Sequence, residues 1–191
     1  MSYEIPDTSS EKPETRNPKL GTKIIGITGG IGSGKSTVSK FIEELGFPVY
    51  DSDFWAKELV NIDENLKSRI IELLGEESYD ENGKYNRKFV AEKVFDHQEL
   101  LLKLNQIIHP AVKIHFENWV NAQNAEFVFK ETALLFELKL NESCYQSILV
   151  TADENIRIKR VMNRNGRTYR EVKEIIDKKK TEVNKVKITE F

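Results

Sequence analysis

A parallel β-sheet layered between helices, an α/β fold, follows from three features of this 191-residue chain. Apolar runs of strand length near 23–28, 48–50, 127–129 and 147–151 are separated by helical text, the order expected of parallel strands joined by crossovers. Glycines crowd the turn straight after the first run, in Gly29-Gly30-Ile31-Gly32-Ser33-Gly34-Lys35-Ser36-Thr37. About 75 residues of helical pattern lie between the second and third runs, far more than the dozen or so that a plain crossover needs.

Each element has its own justification. Residues 1–21 hold three of the five prolines and no periodic apolar face, and read as a disordered leader. One domain is expected over 22–191. Lys23-Ile24-Ile25-Gly26-Ile27-Thr28 is the first strand; Val38, Phe41, Ile42 and Leu45 then recur at helical spacing until Gly46. A second strand ends at Asp51, completing a βαβ unit. Leu66, Ile70, Leu73 and Leu74 before Gly75 mark a helix, Phe89, Val90, Val94 and Phe95 another, and a leucine-rich run is expected to stop at Pro110. Together they suggest a helical substrate-binding insertion over about 54–125. The third and fourth strands are expected to be buried on both faces. After them Asp153 can cap a helix, and Thr168-x-x-Glu171 forms a capping box for another.

The glycine turn matches G-x-x-x-x-G-K-[ST], the phosphate cradle of P-loop proteins, with the strand before it and helix after it that the motif requires. Several backbone N–H groups must converge on one polyphosphate, which side chains at the glycine positions would block. Gly32, Ser33, Gly34, Lys35, Ser36 and Thr37 are therefore the expected nucleotide-binding residues, Lys35 reaching the β- and γ-phosphates and the Ser36 hydroxyl serving as a Mg²⁺ ligand. ATP and Mg²⁺ are the cofactors this implies. The fold expectation sharpens to a three-layer P-loop NTPase fold.

Asp51 and Asp53 stand at the C-terminal end of the second strand, where ligands bind in open α/β sheets. In an extended backbone the two carboxylates share a face, one suited to magnesium or its waters and one to accepting a hydroxyl proton. Asp53 would also suit a helix N-cap. Residues 157–187 carry twelve basic side chains against four acidic ones, and with a phosphate cradle upstream they suggest lid helices, about 157–180, whose arginines neutralise transition-state charge.

Composition narrows the partners. A net charge of −2 gives no global attraction to nucleic acid or anionic lipid, the single cysteine, Cys144, excludes an intrachain disulfide, and no apolar run approaches the roughly 20 residues of a membrane span. A cytoplasmic enzyme with no nucleic-acid or membrane partner is expected, with its oligomeric state open.

The ordered set of motifs resembles the dephospho-CoA kinase family. It comprises the cradle from Ile27 to Val38, the pair Asp51 and Asp53, Asn82-Gly83 with Arg87, Ile107-Ile108-His109-Pro110, and Leu134-Leu135-Phe136-Glu137. The resemblance implies transfer of the ATP γ-phosphoryl group to the ribose 3′-hydroxyl of dephospho-CoA, a five-stranded parallel sheet, a helical coenzyme-binding region and a lid. By position it implies Asp53 as the base, Lys35 as a catalytic phosphate ligand, Arg164 as a lid arginine, and Asp51, Asp53, Arg87 and His109 in the acceptor site. Lys57 stands where the family usually has arginine, Ala133 replaces a proline and Lys179 a glutamine. The family usually continues past a segment like Ile188-Thr189-Glu190-Phe191 into another strand and helix, so the sequence is expected to be truncated there. The alternatives are another P-loop small-molecule kinase or a nucleotide-dependent binding switch.

Overall fold

A computed structural model describes the backbone of residues 21–183 and side chains as far as Asp177. The expected leader, residues 184–191 and any fifth strand beyond Val183 lie outside the described residues. The described strands are β1 (Lys23–Thr28), β2 (Val49–Asp51), β3 (Phe127–Glu131) and β4 (Gln146–Leu149), all parallel in the order β2-β3-β1-β4. The cradle strand β1 is therefore interior, and its C-terminal end opens onto the turn that feeds α1 (Lys35–Glu44).

The helical block between β2 and β3 contains α2 (Ser52–Ile62), α3 (Glu64–Leu74), α4 (Arg87–Phe95) and α5 (Gln98–Ala122). Three of these starts are set by side chains: Asp51 caps α2, Asp63 caps α3 and Asn86 caps α4. Leu59, Val60, Leu66, Ile70, Leu74, Leu104, Val112, Phe116 and Val120 then close over Tyr50 and Val128 to form the main core on one sheet face. Each such burial stabilises by roughly 1.5–3 kcal/mol relative to exposure. A second cluster joins Ile158 and Val161 of α6 (Glu154–Asn165) to Val172 and Ile176 of α7 (Tyr169–Val183), with Ile31 of the cradle packed against it.

Two expectations are corrected, and a third element forms as expected but packs loosely. Pro110 does not stop its helix: α5 runs through it to Ala122. Proline forfeits one backbone hydrogen bond and crowds the preceding turn, but Leu104 before it and Val112, Phe116 and Val120 after it share one buried stripe, and that packing outweighs the local defect. β4 is not buried on both faces; all four residues are exposed, because it lies at the end of the described sheet. The apolar stripe of α1 is also largely open, with Phe41 and Leu45 60% and 75% exposed, although the helix forms where its spacing predicts.

Candidate active site

The glycine turn wraps the N-terminus of α1. Gly34, the N-cap, sits in the left-handed region at φ 106° and brings no capping side chain, so the first N–H groups of α1 face outward for an anion. Gly32 also has a positive φ, 75°. Ser33 is buried and its Oγ has no hydrogen-bond partner among the described residues. An orphaned hydroxyl inside a glycine-built turn fits a ligand rich in acceptor oxygens.

A cleft of about 250 Å³ opens over this turn, lined by Gly32, Gly34, Lys35, Ser36, Thr37, Arg160, Val161 and Arg164. Lys35 Nζ donates to Gly29 O at 2.7 Å, folding the lysine back over the loop it terminates. α6 supplies the opposite wall. Arg157, Arg160 and Arg164, spaced i, i+3 and i+7, share a helix face; Arg157 Nε donates to Ile31 O at 3.0 Å and Arg160 Nη1 to Gly32 O and Ser33 O at 3.3 Å each. Asp153 fixes where that helix begins by accepting from Asn155 N and Ile156 N, as its sequence position predicts. Lysine, two cleft-lining arginines and a helix N-terminus surround a space that accepts a polyphosphate.

Beside the cleft Ser36 Oγ donates to Glu131 Oε1 at 3.2 Å. Glu131 ends β3 and is paired in register with both Ile27 and Asp51, so it sits one strand spacing, about 4.8 Å, from each neighbour. It is 5% exposed. Two hard oxygen donors side by side at a phosphate cradle fit Mg²⁺, which takes one or two protein ligands and completes its shell with phosphate oxygens and water. Among the described residues there is no group of three or more His, Cys, Asp or Glu that could hold a metal ion.

The acidic pair differs from its expected geometry. Asp51 ends β2, while Asp53 lies in the first turn of α2, so the two do not share an extended backbone. Asp51, rather than Asp53, is the N-cap: its Oδ1 accepts from Asp53 N and Phe54 N at 2.9 Å each. Asp53 is left exposed on the helix that Asp51 anchors.

Lys35, Ser36, Thr37, Gly32, Gly34 and Arg164 are thus brought together as lining, with Ser33 buried beneath them. Arg87 opens α4, exposed, and half-buried His109 lies within α5; neither lines the cleft. Burial pushes the His109 imidazole below its ordinary pKa. Glu131, hydrogen-bonded to Ser36, is passed over by the motifs, whereas Arg160 falls in the expected lid segment without being singled out there. An apolar strand ending in a carboxylate at the level of the cradle was the available signal for Glu131, but the charged Lys130-Glu131 pair ends the apolar run at Phe129.

A P-loop fold whose cradle faces cationic side chains, with acidic groups at neighbouring strand ends, defines a nucleotide-dependent phosphotransferase. The sequence model of the dephospho-CoA kinase family matches residues 23–191, and the chain belongs to that family. It is 38% identical to a dephospho-CoA kinase of Staphylococcus epidermidis over 154 residues, 80% of this chain and 76% of that protein. It is 35% identical to one of Pasteurella multocida over 155 residues, 81% of this chain and 75% of that one. Among solved structures it is similar to TT1252 from Thermus thermophilus, with TM-score 0.75 and 34% identity over 87% of this chain and 85% of that chain. The fold is also shared with the dephospho-CoA kinase from Campylobacter jejuni, at TM-score 0.55 and 21% identity, covering 88% and 85%.

Proposed function

We propose that the chain transfers the γ-phosphoryl group of ATP, as its Mg²⁺ complex, to the ribose 3′-hydroxyl of dephospho-CoA, giving CoA and ADP. The observation that carries this reading is the match of the dephospho-CoA kinase family to residues 23–191, and the Lys35- and arginine-lined cleft, with Ser36 in contact with Glu131 beside it, supports it. Ser36 and Glu131 would hold Mg²⁺, which would supply positive charge to offset the charge developing on the phosphates. The cradle amides and Lys35 hold the polyphosphate, and Arg164, with Arg160 beside it, approaches from α6.

The bond formed joins the 3′-oxygen to the γ-phosphorus, and the bond broken joins that phosphorus to the bridging oxygen of ADP. The hydroxyl proton goes to Asp53, whose exposed position at the start of α2 leaves it accessible to an acceptor. Such a transfer has a loose transition state, so alignment and charge stabilisation supply most of the acceleration and the base a smaller part. The helical block, with Arg87 and His109, holds the acceptor. Residues 157–180 serve as the lid, anchored to the cradle at its first turns. Among the described residues no helix is long and apolar enough to cross a membrane. The enzyme is placed in this reading in the cytoplasm, acting on a small molecule without nucleic-acid or membrane partners.

ADP release from MgATP, with and without dephospho-CoA, tests the reading when run beside Asp53→Asn. Acceptor-dependent release that collapses in the variant is expected. Release indifferent to the acceptor would point instead to another small-molecule kinase or a nucleotide-driven switch.

A further inference from the structure

Gly30 poses a question that its own backbone does not answer. Unlike Gly32 and Gly34 it has no positive φ, so its conformation is open to any residue. What a side chain there would meet is the guanidinium of Arg157: the three atoms nearest to a Cβ, Nη2, Cζ and Nη1, all belong to it, so a methyl would have to push that group aside. The same arginine donates through Nε to the carbonyl of Ile31, and its own carbonyl oxygen would lie 2.5 Å from a Cβ on Gly32. Both the side chain and the main chain of Arg157 are therefore keyed into the loop. Arg157 is nevertheless not among the residues lining the cleft.

We propose that Arg157 is a positioning residue for the nucleotide, acting through the peptide group between Ile31 and Gly32. In a planar trans peptide the C=O and N–H point in opposite directions. Holding the Ile31 carbonyl against Arg157 aims the Gly32 N–H away from Arg157, and Gly32 lines the cleft. The guanidinium fixes an anion-binding amide before the anion arrives, so that the amide is not reoriented when ATP binds. Gly30 is the space left for the device.

This inference rests on the kinase reading only in taking ATP as the ligand, so its test measures ATP binding by titration calorimetry on the full chain, apart from turnover. Arg157→Ala is expected to weaken ATP about tenfold, with the KM for dephospho-CoA and the thermal midpoint unchanged. Gly30→Ala should weaken ATP similarly by itself, yet add nothing in the Arg157→Ala background, because the group its methyl displaces is already gone. Additive effects in the double variant, unaltered ATP affinity in Arg157→Ala, or a loss spread equally over stability and both substrates would overturn the proposal. Should Arg157→Ala not fold, Arg157→Gln, which retains an N–H for the Ile31 carbonyl, carries the same cycle, with weakening smaller than about tenfold expected and additivity with Gly30→Ala decisive against the proposal. Absence of ATP binding by the unaltered protein would remove the kinase reading and this inference with it.

Discussion

The hydroxyl of Ser36, in the first turn of α1, is hydrogen-bonded to the buried carboxylate of Glu131 at the end of β3, 95 residues further along the chain. The contact ties the cradle to the strand that separates it from Asp51. Glu131→Gln keeps the shape of the side chain but removes its charge. It is expected to lower kcat about a hundredfold and raise the Mg²⁺ concentration for half-maximal rate. Initial rates over a magnesium titration check both, and an unchanged magnesium requirement would leave Glu131 a structural acceptor only.

Lys35 and Asp53 should differ in degree. Lys35→Ala removes a cation from the phosphates in ground and transition states, and a loss of about a thousandfold or more in kcat/KM is expected; Asp53→Asn should cost about a hundredfold, chiefly in kcat. Steady-state kinetics with both substrates varied separates them. A larger loss for Asp53→Asn would make proton removal more important than charge stabilisation.

Asp51 has a mechanical task that can be measured without turnover. Its Oδ1 accepts two amide hydrogens at the start of α2, so Asp51→Ala should destabilise the protein by about 1 kcal/mol while Asp51→Asn, which keeps the acceptor, should cost much less. Urea unfolding midpoints distinguish the two. Equal losses would mean that the charge of Asp51, not its capping oxygen, matters.

Tyr50 is fully buried, with its hydroxyl 2.9 Å from His115 Nδ1 and 3.4 Å from the Val112 carbonyl. Burial lowers the pKa of His115 from its ordinary 6.5, so the folded protein favours the neutral ring and the unfolded chain takes up the proton first. The stability held by the neutral ring is complete above about pH 6.5 and is lost as pH falls below it. His115→Gln should flatten the decline of urea midpoints between pH 7 and 5.5; an unchanged slope would show that other groups set it. Tyr50→Phe should cost about 1–3 kcal/mol at neutral pH by leaving His115 Nδ1 without its partner.

Much of this molecule is legible in its residues, and the exceptions have physical causes. The cradle, the position of β1, the cap at Asp153 and the Thr168–Glu171 box follow from spacing and local hydrogen bonding: Thr168 N donates to Glu171 Oε2 and Glu171 N donates to Thr168 Oγ1, the reciprocal pair that defines the box. What misleads is where tertiary contacts overrule local preference. Lys130 looks like the end of a strand, yet it is 6% exposed with its ammonium 3.9 Å from the centre of the Phe116 ring, and burial lowers its pKa. Strand β3 can therefore continue to Glu131. Pro110 misleads in the same way, its local cost being outweighed by a buried stripe that sequence spacing shows but cannot weigh. The roles of Glu131 and Arg157 depend on partners 95 and 126 residues distant, which no local window contains.

The distance along the chain between β1 and its neighbour β3 also bears on how the protein is made. Lys23 meets Glu126 across 103 residues, and the whole helical block lies in the loop between them. Closing so long a loop in a disordered chain is entropically costly, and pairing of this kind is slow unless the intervening segment is already compact. During synthesis the glycine turn leaves the ribosome early, but its strand has no β3 to join until α2–α5 have been made. The nucleotide site is thus encoded first and assembled late, with the helical block as the scaffold that brings its two halves together.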